Sequence, residues 1–253
     1  VYTSDQTWSG NFSLDENVVI ASGVTLLIES GTHINVTEDI TITIQGNLQI
    51  QGTTDAPVSI WGSWFAENSV QARWQGFLLD SGSIASVLHT MISDSRGGFD
   101  VESGASLTIE STQFVDSMIG VWNKGSMMGV GFECQSATTT CLRVDGMTNL
   151  DTVASSNSAG VVHIANGGDA TIDLIESDLD SDVLVLDGGS TYSGEIQAAG
   201  FTRMIRASDS VSATVTHIAT GSGETLVDAS MVAGLELING NTTNITVSRI
   251  LIG

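Results

Sequence analysis

The sequence predicts an all-β chain folded as a single-stranded, right-handed parallel β-helix with about 21 residues in each rung. Short apolar strands recur at nearly constant intervals, Ser, Gly, Asn and Asp separate them, and no repeat unit contains an amphipathic segment long enough for a stable helix. One rung cannot bury its apolar face alone, whereas rungs stacked about 4.8 Å apart share a core and a hydrogen-bond ladder. The right hand follows from the usual chirality of parallel crossover connections.

The repeat units can be located one by one. Intervals of 20 to 22 residues separate their openings, which fall at Phe77, Phe99, Gly120, Cys141, Val161, Val183, Met204 and Thr225, with an incomplete last unit from Ile245. The aligned first strands predict an inward column that is apolar throughout: Phe77, Phe99, Val121, Leu142, Val162, Leu184, Ile205 and Leu226. A second inward column, two positions later, is mostly apolar and ends in Ala207 and Asp228. The mixed column between them should face solvent: Leu78, Asp100, Trp122, Arg143, His163, Val185, Arg206 and Val227.

The N-terminal third shows the same alternation less regularly. We expect one domain over residues 1–253, with residues 1–17 as a cap over the first rung and regular rungs from 77 to 253. Residues 61–76 are too long for a rung turn, and we interpret them as a projecting loop that carries Trp61, Trp64 and Trp74. These rings could bind sugars or a protein partner, or they could cover the flank of the solenoid, which we favour.

The charge balance limits the partners of the chain. Seven basic residues stand against 29 acidic ones, for a net charge of −22, which opposes binding to nucleic acid. No apolar run approaches the roughly 18 residues expected of a membrane-spanning segment. We expect an extracellular or cell-surface protein, with candidate glycosylation sites at Asn11, Asn35, Asn241 and Asn244.

Two cysteines, Cys134 and Cys141, are separated by six residues. A disulfide between them would close a small loop and would suit an oxidising exterior. The alternative is a pair of buried free thiols.

The N-terminal segments VVIASGVTLLIESGTHINV, GNLQIQGTTDAPVSIWGS and RWQGFLLDSGS resemble the entry rungs of β-helix surface proteins with the pectin-lyase-like fold. The resemblance covers about residues 15–85, and the later units share only the general repeat. It implies a secreted or cell-surface solenoid, often one module of a larger protein, and it does not imply catalysis.

Polysaccharide lyases and glycosidases also use this fold, and their catalysis needs characteristic residue motifs. The glycosidase strings of the fold and the common hydrolase, nucleotide and zinc motifs do not occur, and we expect a protein that is not an enzyme. The best ligand-binding candidates are Trp122, Arg143, His163 and Arg206, because an aromatic ring beside cations could hold an acidic sugar. They could equally be ordinary exposed residues.

Acidic residues near one corner of successive rungs are the candidates for a metal site: Asp80, Glu102, Asp145 and Asp187. Like charges stacked at this spacing repel each other, and Ca²⁺ could relieve that repulsion. Apart from Ca²⁺, no cofactor is expected.

These patterns favour a non-catalytic structural or adhesive module that assembles with itself, end to end, or with neighbouring surface modules. The alternative is a polysaccharide-binding or polysaccharide-processing β-helix. Ice binding would need a regular Thr ladder, and the single stretch TITIQ at 41–45 does not provide one.

Overall fold

The computed structural model describes the backbone of residues 1–63, 73–208, 212–219, 222–230, 234–237 and 246–252, and the side chains of residues 1–63 and 73–208 and of Asp228. All paired strands in these residues are parallel, and none of the described residues is helical. This confirms the predicted all-β parallel solenoid. No described segment has the helical length and hydrophobicity that crossing a membrane requires.

The described strands follow one another with short turns between them. In chain order they are β1 (Gln6–Trp8), β2 (Asn11–Leu14), β3 (Val18–Ile20), β4 (Thr25–Glu29), β5 (His33–Val36), β6 (Thr41–Ile44), β7 (Asn47–Gln51), β8 (Val58–Gly62), β9 (Gly76–Leu79), β10 (Ile84–Leu88), β11 (Thr90–Ser93), β12 (Gly97–Val101), β13 (Ser106–Glu110), β14 (Thr112–Val115), β15 (Ile119–Asn123), β16 (Ser126–Gln135), β17 (Thr140–Val144), β18 (Met147–Ser156), β19 (Gly160–Ile164), β20 (Asp169–Asp178), β21 (Asp180–Leu186), β22 (Thr191–Ala198), β23 (Gly200–Ser208), β24 (Ser212–Ala219), β25 (Ser222–Ser230), β26 (Gly234–Leu237) and β27 (Thr246–Ile252).

These strands form one 11-stranded sheet and one 16-stranded sheet. In the early rungs two separate strands, such as β13 and β14, belong to the 16-stranded sheet, and both pair with the single ten-residue strand β16. The chain bends within β16 at Gly129 and Gly131, which have φ values of 145° and 128°. A Cβ atom on Gly129 would lie 2.0 Å from the carbonyl oxygen of Ile109, so only glycine fits this bend.

The register of the 11-stranded sheet confirms the predicted inward column up to Ile205. Partner residues recur every 20 to 22 residues through Phe77, Phe99, Val121, Leu142, Val162, Leu184 and Ile205. The next partner of Ile205 is Val227, so the prediction of Leu226 was wrong by one residue. Because Leu226 and Val227 are adjacent and both apolar, alternation alone does not choose between them. In the observed register Asp228 pairs with Arg206 in the outward column, and Ala229 follows Ala207.

An aromatic cluster fills the core of the middle rungs. Phe77 and Phe99 stack with ring centroids 4.9 Å apart, and Trp74 meets Phe77 edge to face at 5.7 Å. Phe114 lies between Phe99 at 6.3 Å and Phe132 at 5.4 Å, again edge to face. Each such pair contributes about 0.5–1.5 kcal/mol beyond the burial of its area.

The expected N-terminal cap is itself built as a rung. Strand β1 pairs with β4, β2 pairs with β5, and Tyr2 forms a bridge to Ile20. Trp8 and Phe12 pack edge to face at 5.5 Å within this rung. Among the described strands, β1 and β2 each have a partner on one side only.

The flanks of the expected projecting loop belong to the solenoid. Trp61 lies in β8, and Trp74 is wholly buried and forms a bridge to Ser95. The sequence interpretation of residues 61–76 as loop was therefore too broad at both ends, since an outward and an inward tryptophan look alike in a segment without regular alternation. Trp64 lies outside the described residues.

The glycine before the inward column provides a packing test. A Cβ atom on Gly98 would lie 2.1 Å from Cε1 of Phe114 and 2.5 Å from the carbonyl oxygen of Gly120. We expect Gly98→Ala to lower the free energy of unfolding by about 1–3 kcal/mol, as overpacking does. Gly97→Ala is the matched control, because its nearest atom would be 3.9 Å away, and it should change stability by about 0.5 kcal/mol or less. Urea unfolding of both variants checks this, and equal losses would contradict the packing account.

Candidate functional site: the outward face of the 11-stranded sheet

Parallel pairing brings the predicted outward residues together on adjacent strands. Trp122 of β15 pairs with Arg143 of β17, which pairs with His163 of β19. Val185 then separates His163 from Arg206. The four candidates therefore lie along one strip of the surface. A nearly constant repeat length produces this arrangement, because it places equivalent residues of successive rungs side by side.

Cations lie over the ring of Trp122. The Lys124 Nζ atom is 4.2 Å from the ring centroid, and the Arg143 Cζ atom is 4.6 Å from it. The indole N–H donates a hydrogen bond of 2.9 Å to Asp145 Oδ2, and Arg143 Nε lies 3.4 Å from Asp145 Oδ1. The ring is thus engaged with the protein's own cations.

Lys124, which directly follows β15, links two carboxylates of the preceding rung. Its Nζ atom lies 2.8 Å from Asp100 and 2.6 Å from Glu102. Burial alone would lower the pKa of Lys124, but its hydrogen bonds to the two carboxylates raise that pKa above its ordinary value. Burial raises the pKa of Asp100 despite this pairing. The cation is therefore held in its charged form.

The other basic side chains of the strip are also paired between rungs. His163 Nε2 lies 2.9 Å from Asp187 Oδ2. Arg203 makes two hydrogen bonds to Asp182, of 2.7 and 2.9 Å, and these raise the pKa of Arg203. Arg206 Nη1 lies 3.7 Å from the same carboxylate. Of these basic side chains, Arg206 lies farthest from its carboxylate partner.

The four carboxylates proposed as a metal site bind different partners. Glu102, Asp145 and Asp187 are paired as described above, and Asp80 Oδ2 accepts a hydrogen bond of 3.3 Å from Gln45. In the described part of the chain, no three His, Cys, Asp or Glu side chains converge closely enough to hold a metal ion. Glu102, Asp145 and Asp187 thus contact Lys124, Arg143 and His163, respectively.

The tryptophans of the expected loop have separate roles. Trp74 is buried, and its indole N–H donates a hydrogen bond of 2.9 Å to the carbonyl of Ser93. Trp61 faces outward on the 16-stranded sheet, with its ring centroid 6.1 Å from that of His33. The two rings do not form one binding surface with the strip of the 11-stranded sheet.

Two sequons lie on neighbouring strands near the N-terminus. Asn11 is exposed in β2, whereas the Asn35 side-chain oxygen accepts a hydrogen bond of 2.7 Å from Ser63. Asn11 is the more accessible acceptor for a glycan. Asn241 and Asn244 lie outside the described residues.

A buried polar network in the corner beside β21 was not predicted from the sequence. The Asp180 carboxylate accepts hydrogen bonds from the Ser158 backbone N–H at 2.6 Å and from the hydroxyls of Ser155 and Ser177 at 3.1 and 2.7 Å. Burial raises the pKa of Asp180, and these hydrogen bonds oppose the rise. A sequence signal for this network does exist. Polar residues recur at the same corner of the rungs, one or two repeats apart: Ser95, Ser117, Ser158 and Asp180.

The two cysteines adjoin this network as free, buried thiols, and no disulfide joins them in the structure. The Cys141 thiol donates to Ser155 Oγ over 3.2 Å, and burial raises the pKa of Cys134 well above its ordinary value.

The 16-stranded sheet carries an open groove of about 420 Å³ that the sequence reasoning also missed. Glu133, Glu176 and Asp178 line it together with small residues. Register places Ala154 between Glu133 and Glu176, which leaves the trough between the two longer side chains. The groove lies on a different sheet from the predicted strip.

No protein-family model, curated protein or solved structure matches this chain. The resemblance to pectin-lyase-like surface proteins therefore stays an expectation.

Asp180 gives the stability of the protein a predictable pH dependence. Because its pKa is raised in the folded chain, its contribution is fully present below the unfolded pKa and is lost as the pH rises through the folded pKa. We compare the free energies of unfolding of the wild type and of Asp180→Asn. The difference, wild type minus variant, should fall above about pH 4, and the total fall should be about 1.4 kcal/mol for each unit by which folding raises the pKa of Asp180. Urea unfolding at a series of pH values measures this difference.

Asp178→Asn is the control, because it removes a charge from an exposed side chain of β20 and keeps the Asp178 backbone hydrogen bond to Asp180. A wild-type-minus-Asp180→Asn difference that stays constant or increases with pH would contradict the assignment.

Proposed function

We propose that this chain is a non-catalytic structural module of an extracellular or cell-surface assembly. The observation that carries the proposal is the pairing of outward polar side chains from one rung to the next. Trp122 with Asp145, His163 with Asp187, and Arg203 with Asp182 are each separated by 21 to 24 residues, which is one rung. These side-chain contacts connect neighbouring rungs in addition to the backbone hydrogen bonds. Such connections suit a rod that bears load.

The same pairing argues against catalysis on this strip. A general acid, base or nucleophile must be able to engage a substrate. Here the carboxylates, the imidazole and the Trp122 N–H are committed to one another. The acidic composition and the exposed sequon at Asn11 support an extracellular setting.

Among the described strands β2 pairs with β5 alone, and its other edge supports end-to-end assembly. The His33 N–H donates to the Gly10 carbonyl and the Thr37 N–H donates to the Leu14 carbonyl, so these carbonyls face β5. In a parallel ladder alternate residues direct their backbone groups to opposite sides, so those of Asn11 and Ser13 face away from β5. Asn11 and Ser13 thus offer an edge on which the terminal strands of a second copy can add.

Electrostatic repulsion opposes that assembly. Within their described bounds, the strands of the 16-stranded sheet contain no Lys or Arg and ten acidic residues: Glu29, Glu110, Glu133, Asp151, Asp169, Asp173, Glu176, Asp178, Glu195 and Glu236. With a net charge of −22, two copies repel each other at low ionic strength. Association should therefore depend on salt.

We predict that the protein assembles as the ionic strength rises from about 0.01 M to about 1 M, where the Debye length falls from about 30 Å to about 3 Å. Ser13→Pro removes an outward N–H from the edge of β2 without removing a β2–β5 hydrogen bond, and it should abolish the assembly. Ser13→Ala keeps that N–H and is the control. Sedimentation velocity over a concentration series measures the association.

Two results would count against end-to-end assembly. One is a protein that stays monomeric at every salt concentration, and the other is equal assembly by the proline and alanine variants. Urea unfolding of both variants checks that the first rung is intact.

A second candidate function is binding of an acidic polysaccharide to the 11-stranded sheet. It is favoured by the placement of Lys124, Arg143, Arg203 and Arg206 on or beside this sheet, in a chain with seven basic residues in all. Arg206 has the longest ion-pair distance among them and should contact the ligand first.

On this hypothesis Arg206→Gln weakens retention on immobilised polygalacturonate by about tenfold, because one hydrogen bond to a charged group is lost. Arg96→Gln makes the same charge change beside β12, where Arg96 pairs with Asp39, and should leave retention nearly unchanged. Affinity chromatography at fixed ionic strength compares them. Lack of retention of the wild type removes this candidate and leaves the structural role.

A further inference from the structure

Cys134 and Cys141 lie against each other inside a single rung. Cys134 is on β16 of the 16-stranded sheet, next to Phe114 and Ser155 in register, and Cys141 is on β17 of the 11-stranded sheet. The Cys141 thiol donates to the Ser155 hydroxyl over 3.2 Å, so its sulfur points toward the strand position beside Cys134. Both residues are fully buried.

Gly120 provides the space at this corner. A Cβ atom there would lie 3.0 Å from Cys134 Sγ and 2.6 Å from the carbonyl oxygen of Cys141. The residue in the preceding rung that adjoins both cysteines therefore has no side chain to hold their sulfurs apart. A hydrogen bond between the two cysteine side chains is among the causes that raise the pKa of Cys134.

We propose that Cys134 and Cys141 are an oxidation site whose thiols close into a disulfide, tying the 16-stranded sheet to the 11-stranded sheet within one rung. The structure holds the reduced form of this pair. The proposal goes beyond the structural role argued above and stands on separate residues.

The buried polar network tolerates this change. The Cys141 thiol acts as a hydrogen-bond donor to Ser155, and the Ser155 hydroxyl in turn donates to Asp180 over 3.1 Å. Loss of the thiol proton leaves the Ser155 donation in place. Asp180 also keeps its hydrogen bonds from Ser158 and Ser177, so no buried carboxylate loses a partner.

The oxidant is a small-molecule disulfide such as oxidised glutathione. One cysteine thiolate attacks it, forming a mixed disulfide and releasing one glutathione, and the second cysteine thiolate then displaces the other glutathione. The cysteine pair loses two electrons, the glutathione disulfide gains them, and the two thiol protons end on the released glutathione thiols. Because both thiols are buried in the folded chain, the exchange takes place before this rung closes.

The test refolds the reduced protein from urea either with a mixture of reduced and oxidised glutathione or with dithiothreitol. Each sample is then alkylated with iodoacetamide under denaturing conditions and weighed as an intact chain. We expect no alkyl group and a mass lower by two hydrogen atoms after refolding with glutathione, and two alkyl groups after refolding with dithiothreitol. Native reduced protein exposed to oxidised glutathione should still take up two alkyl groups afterwards.

Cys134→Ser and Cys141→Ser are the controls, and each should end as a single free or glutathionylated thiol. Circular dichroism and a cooperative urea transition must show that the oxidised wild type has the same sheet content as the reduced protein. Two alkyl groups after glutathione refolding would overturn the proposal, and so would an oxidised monomer that cannot regain this fold. Neither outcome depends on the sedimentation behaviour that tests the structural role.

Discussion

The parallel hydrogen-bond ladder places equivalent residues of successive rungs beside one another, about 4.8 Å apart, and the other features of the molecule follow from that register. It turns a repeat of 20 to 22 residues into continuous inward columns, from Phe77 through Ile205. It stacks the Phe77 and Phe99 rings and brings Lys124 against carboxylates of the preceding rung. A slip of one residue would move every side chain of a strand to the opposite face and would break both kinds of contact.

In-register stacking also creates an electrostatic problem for a chain of net charge −22, and the two sheets solve it differently. On the 11-stranded sheet, acidic and basic side chains meet across neighbouring rungs, as in Asp182 with Arg203. On the 16-stranded sheet, one column alternates acidic and neutral residues: Gln113, Glu133, Ala154, Glu176 and Gln197. Carboxylates in that column are thus separated by two rungs, which roughly doubles their distance and reduces their repulsion.

The sequence predicts the columns well because two simple periods, two residues along a strand and about 21 along the chain, determine which face a residue occupies. It does less well where those periods leave a choice. Adjacent apolar residues hid the shift from Leu226 to Val227, and Trp74 lies in a segment without alternation. The repeat length predicts that Trp122, Arg143 and His163 are neighbours, as the register has them, but it makes the carboxylates beside them look like a repelling ladder. Glu102, Asp145 and Asp187 have partners 22 to 24 residues away, and the packing that sets the direction of those side chains cannot be deduced from the sequence.

Buried polar residues supply the specificity that apolar columns lack. An apolar pattern alone is compatible with more than one alignment, as the adjacent apolar residues Leu226 and Val227 illustrate in the sequence. Asn123 has no such freedom, because its buried amide donates to the Met147 carbonyl at 2.7 Å and to Thr148 Oγ1 at 2.8 Å in the next rung. A slipped strand would leave that amide without partners, at a cost of about 1–3 kcal/mol. Asp180 acts in the same way toward the preceding rung through the Ser158 N–H. The residues that depart from the hydrophobic pattern are therefore the ones that fix the register on which the pattern relies.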